Sequence, residues 1–167
     1  MLVISAGSVV AMTGCSGDPS TPLDVRQARA LAADPLLDAE PHGMRLGEVY
    51  SKTGHDTRLA YQAFSTARRS GPVIGPPREA MRDLVKAAVA AGWTITSIDC
   101  PGDGYLAFGE KLVDGFRANL DLSVVGVDGK PSGAIELFVP AAADSPPETA
   151  LNGGEESLDD SCLGTPS

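Results

Sequence analysis

The chain has 167 residues, 43% of them hydrophobic and 21% charged, which is the length and apolar content of one globular domain with appendages and leaves little room for a second. Its formal net charge of -9 works against binding to nucleic acid or to an anionic membrane surface, since both demand clustered Lys and Arg. The charge is uneven. From Ala141 onward Asp144, Glu148, Glu155, Glu156, Asp159 and Asp160 stand without a Lys or Arg, so this tail carries -6 and the body is nearly balanced.

Residues Leu2 to Met12 form an uncharged apolar run, followed by Thr13-Gly14-Cys15 and the polar Ser16-Gly17-Asp18. The run is too short to cross a bilayer and has the length of an export-signal core. Small residues directly before a cysteine resemble a bacterial lipobox, which implies that Cys15 is lipid-modified and becomes the new N-terminus. Acyl chains hold a soluble domain at a membrane by about 0.8 kcal/mol per buried methylene. The expected division is a signal peptide over 1–14 and a lipidated tether over 15–21. No Lys or Arg precedes the run, so a natural start upstream of Met1 is the expectation. With Cys15 lipidated, Cys100 and Cys162 remain, in a compartment where disulfides persist. Two readings stay open: a bridge worth about 4 kcal/mol in the chain-entropy model, or two unpaired thiols.

Along the chain, Thr21-Pro22-Leu23-Asp24 reads as a helix start, with Thr21 as cap, and Asp34-Pro35 as its stop near Ala33. Met44, Leu46 and Tyr50 share one parity, as do Leu59, Tyr61 and Ala63, and Gly54-His55-Asp56 lies between; this predicts two strands joined by a turn. From Pro77 to Ala91, Met81, Leu84, Val85, Ala88 and Val89 make one apolar stripe, with Pro77 in the first turn and Gly92 as the stop. Strands are predicted over 93–98, 105–113, 116–124 and 134–139. Asp114-Gly115 marks a hairpin, and Asp128 to Pro131 marks a second turn. Within the third of these strands Phe116, Ala118, Leu120, Leu122 and Val124 point inward, with Arg117, Asn119, Asp121 and Ser123 outward in water.

Tight turns between the later strands allow only antiparallel neighbours, so the fold class is α+β. The expected architecture is two-layer: a sheet of about five to six strands against one main helix, with a short N-terminal helix. The domain spans 22–140, and 141–167 is expected to be a disordered acidic tail apart from any tie at Cys162. The helix ending Ala90-Ala91-Gly92-Trp93, the strand leading to Cys100 and the meander after it resemble small actinobacterial lipoproteins of uncharacterised function, over roughly residues 36 to 139. The resemblance implies the fold and an extracytoplasmic, membrane-anchored address, and brings no catalytic residues.

For chemistry, only His42 and His55 are available as near-neutral bases. No nucleophile elbow, phosphate loop or His-Glu-x-x-His occurs. Asp38, Glu40 and His42 would share a side if extended and suit a divalent metal, but Pro41 and Gly43 favour a solvated acidic turn; no metal or cofactor is expected. Gly102-Asp103-Gly104 reads as a plain turn, Arg68-Arg69 as a solvated loop, and Trp93 as an aromatic packed under the helix end. Glu110 and Lys111 fall on opposite faces of their strand. The expected role is non-enzymatic: an anchored envelope protein acting by contact with an envelope component. A small-ligand carrier or sensor is the alternative, and a hydrolase comes third.

Overall fold

The structure, a computed structural model, describes residues 22–53, 63–102, 104–140 and Leu163. Helix α1 runs over Leu23–Ala32 and is entered from Pro22, whose φ of -52° and ψ of 143° make it the cap residue, without a side-chain cap bond. Pro22 therefore stands one position outside the expected place, and Thr21 lies outside the described residues. Asp34 ends this segment: its carboxylate accepts from the Leu36 amide at 2.9 Å and opens a 3-10 turn over Pro35–Asp38. The Asp-Pro stop thus also acts as a cap for the next turn.

An antiparallel pair does form here, but it is placed later than predicted: β1 (Tyr50–Thr53) excludes Met44 and Leu46, and β2 (Ala63–Pro72) begins at Ala63; the expected turn at 54–56 and the residues Leu59 and Tyr61 lie outside the described residues. The chain before β1 keeps to the side of β2. Met44 bridges Val73, the Arg45 amide donates to Pro72 and the Gly47 amide to Ser70. Contact there is close enough that a Cβ on Gly71 would stand 1.9 Å from the Arg45 carbonyl oxygen. Arg68 and Arg69 belong to β2 and not to a solvated loop.

Helix α2 spans Pro77–Ala90. Gly92 has φ +85° and donates to Val89, while the Trp93 amide reaches back to Ala88. This Schellman end uses the left-handed conformation glycine adopts without strain, and Trp93 packs beneath it, 3% exposed. The buried side is Ala80, Met81, Leu84 and Ala88. Val89, assigned to the stripe from sequence, is instead 57% exposed; the buried arc is rotated toward Ala80, because small residues there let the helix approach the sheet.

Strands β3 (Thr94–Asp99), β4 (Tyr105–Val113), β5 (Phe116–Val127) and β6 (Lys130–Pro140) follow as a meander. Both hairpins turn on Asp-Gly pairs with positive φ, Asp114-Gly115 and Asp128-Gly129. The second turn is thus two residues long, and Lys130 and Pro131 already pair in β6. The six strands form one antiparallel sheet in the order β1-β2-β6-β5-β4-β3. The α2 crossover carries the chain from β2 to the far edge, and the meander returns to seat β6 against β2.

Both helices contribute to one core: α1 contacts β2, β1 and β6, and α2 contacts β5, β3 and β4. Register aligns Ala67, Leu137, Leu120, Gly109 and Ile95 as one row across the inner face. Ala118, Leu120, Leu122 and Val124 are buried as their alternation predicts. The architecture is α+β, an open antiparallel sheet of six strands with two helices. Leu163, the one described residue beyond 140 and next in sequence to Cys162, is 5% exposed within this core.

Candidate functional site

Three places carry charge at positions where solvent alone does not account for it. The first is Arg69, on the inner side of β2. Its Nε donates to Gly47 O at 2.8 Å, Nη1 to Leu37 O at 2.6 Å and Ala39 O at 3.2 Å, and Nη2 to Leu46 O at 3.2 Å and Glu40 Oε1 at 2.9 Å. All five guanidinium donors are used. A cleft of about 510 Å³ opens beside it, lined by Leu37, Asp38, Glu40, Leu46, Gly47, Glu48, Val49 and Arg69. Arg69 therefore organises the loop walls, and the cleft presents carboxylates rather than a free cation.

The second is Asp34, 4% exposed. Besides the Leu36 amide, it accepts from Trp93 Nε1 at 3.2 Å and from Lys111 Nζ at 2.7 Å. Lys111 Nζ also donates to Ala91 O at 2.7 Å and lies 5.7 Å from the centre of the Trp93 ring. The end of α1, the end of α2 and β4 are thereby joined through one ion pair. Lys111 does face inward and Glu110 outward, where Glu110 pairs with Arg117, Nε to Oε2 at 2.9 Å.

The third is the sheet face opposite the helices. Register places Tyr50, Arg68, Glu136, Asp121, Phe108 and Ser97 in one cross-strand row, and Lys52, Thr66, Phe138, Asn119, Glu110 and Thr94 in the next. Among the described residues, no helix packs on this face. Asp121 and Glu136 stand directly opposite each other, an arrangement that costs stability. Arg68 Nη1 is 3.6 Å from Glu136 Oε2, and both side chains are at least a third exposed, so water weakens the compensation. Asp121 is half-buried rather than in water. Burial first, then Glu136, pushes its carboxyl above the ordinary Asp range, against the lowering effect of Arg68.

The residues singled out from sequence fall as follows. Cys100 is disulfide-bonded and packs against the core; Cys15 and Cys162 lie outside the described residues, as does His55. Asp38, Glu40 and His42 are exposed, and among the described residues no three His, Cys, Asp or Glu side chains are grouped to hold a metal. Glu40 departs from a plain solvated turn through its pair with Arg69. No described helix is long and apolar enough to cross a membrane. No family model, curated protein or solved structure matches the chain.

Proposed function

We propose that the protein is a lipid-anchored envelope lipoprotein of the small actinobacterial type, held at the outer side of the cytoplasmic membrane through Cys15 and acting without catalysis by contact with another envelope protein. The anchor reading rests on the apolar run ending in Thr13-Gly14-Cys15. The observation that carries the contact reading is the open sheet face. Tyr50, 63% exposed, with half-buried Phe108 and Phe138, supplies the aromatic surface that protein interfaces favour. Opposed Asp121 and Glu136 retain a repulsion that a basic group on a partner would relieve. The finer architecture belongs to the same reading: two layers, with α2 as the main cover of the meander, leaving the second face for a partner. Leu31, Leu36, Leu37, Met81, Leu84, Leu120, Leu122, Ile135 and Leu137 are fully buried, so apolar side chains occupy the space between helices and sheet.

A photo-reactive amino acid in place of Asn119, on the open face, tests this in the protein's own membrane against the same group in place of Arg29, on the exposed side of α1. A discrete protein adduct from position 119 alone is expected. Equal adducts from both positions, or none, would remove the reading. The carrier alternative has the acidic cleft beside Arg69 in its favour; a small cation retained through native mass spectrometry would turn the assignment to it.

A further inference from the structure

Taken from β1 to β4, the outer row reads Tyr50, Arg68, Glu136, Asp121, Phe108, and the next row reads Lys52, Thr66, Phe138, Asn119, Glu110. Strand β6 is the middle one of these five, with β2 and β1 on one side and β5 and β4 on the other. Each row complements itself when it is reversed about β6. In the first, Tyr50 meets Phe108 and Arg68 meets Asp121. In the second, Lys52 meets Glu110, Thr66 meets Asn119 and Phe138 meets itself. Glu136 also meets itself, and Arg68, 3.6 Å from it in the same chain, stands beside that like pair. Tyr50, Lys52 and Arg68 are exposed, and Glu136, Asp121, Phe108 and Phe138 are half-buried, so all present surface to a partner. The face is balanced as well: Arg68, Lys52 and Arg117 stand against Glu136, Asp121 and Glu110, on a chain of net charge -9. A strongly acidic or basic partner finds no opposite net charge there, whereas the reversed pattern matches it position by position.

We propose that this face is a two-fold interface between two copies of the chain, related by an axis along β6, with Arg68 of each copy on Asp121 of the other. The proposal rests on the contact reading above and names its partner: the basic group that relieves the Asp121 and Glu136 repulsion is Arg68 of a second copy. Sheets packed face to face keep their strand directions within about 30°, so the two rows of one copy can follow those of the other. A contact of this isologous kind closes at two copies. With the neutral row Ser70, Ala134, Ser123 and Leu106, the patch measures about 24 Å across the strands and about 20 Å along them. Pairing it buries about 1,000 Å² in total, the lower limit for a specific interface. An axis along the strands also leaves the same end of both domains pointing the same way, so two copies anchored through Cys15 can pair in one membrane.

The photo-reactive group in place of Asn119, used in the protein's own membrane, identifies the partner when the adduct is digested and sequenced by mass spectrometry. Both halves of the adduct should give peptides of this chain, at twice its mass. An adduct with a different protein overturns the self-pairing and leaves the contact reading standing, whereas no adduct removes both. Charge reversal then tests the register. Arg68→Glu should lower the yield of self-adduct about tenfold, as should Asp121→Arg, because each sets like charges against each other across the axis. The double variant Arg68→Glu/Asp121→Arg should recover most of the yield, since its pattern complements itself again. Lys52→Glu, a change at an exposed position of the edge strand that does not threaten folding, should lower the yield several-fold. A self-adduct indifferent to Lys52→Glu, or a double variant no better than the folded single ones, overturns the two-fold pairing.

Discussion

At the scale of single residues, two buried charges decide how the loops are held. Arg69 uses every donor on five separate acceptors, so replacing it leaves four backbone carbonyls and Glu40 unanswered. Arg69→Met should cost about 3–5 kcal/mol in denaturant melts, the range for breaking a buried, hydrogen-bonded charge. Arg69→Lys should recover little of this, because an ammonium cannot fill a planar five-donor site. This role could not be read from the sequence: the acceptors lie 22 to 32 residues away, and adjacent Arg68-Arg69 looks like any polar pair. Asp121 belongs to the same scale. Its carboxyl is raised by burial and by Glu136, so in the pH window between the ordinary Asp value and the raised folded value the fold binds more protons than the unfolded chain. Stability contributed there is present at low pH and lost as pH rises through the window. Asp121→Asn should therefore gain stability over wild type at pH ~7 and show no gain at pH ~3, measured by paired melts; an equal gain at both would show that charge is not the cause.

At the scale of elements, local signals were the legible ones. The Asp-Gly turns, the Gly92 stop and the alternation of β5 depend on residues close in sequence, and each recurs in the structure where the pattern places it. The start of β6 was read late, because Pro131 suggests a turn although it pairs with Gly126 in the ladder. The face of α2 was only partly legible: Val85 and Val89 match the helical period, but Ala80 and Ala88 are the small residues that meet the sheet. Leu84→Ala should cost about 2–5 kcal/mol and Val89→Ala less than about 0.5 kcal/mol. Comparable losses in the two would place the helix in the rotation that the sequence stripe suggested. The site was less legible than the fold. The Asp121 and Glu136 opposition depends on the β5–β6 register, and Asp34 and Lys111 meet across 77 positions.

At the scale of the whole molecule, α1 and α2 both pack on the sheet, and the partner surface proposed above is the row from Tyr50 to Phe108 on the other side. That assignment needs the domain held where an envelope partner can meet it. No described helix has the length and apolarity to span a bilayer. On the proposed lipid-anchor reading, location depends on Cys15. The most direct measurement is membrane fractionation of wild type and Cys15→Ala, each expressed from the natural start codon, with a high-salt wash of the pellet. Wild type should stay with the membrane and enter detergent, while the variant should be lost to the soluble fraction. Retention of Cys15→Ala on salt-washed membranes would contradict the lipid anchor.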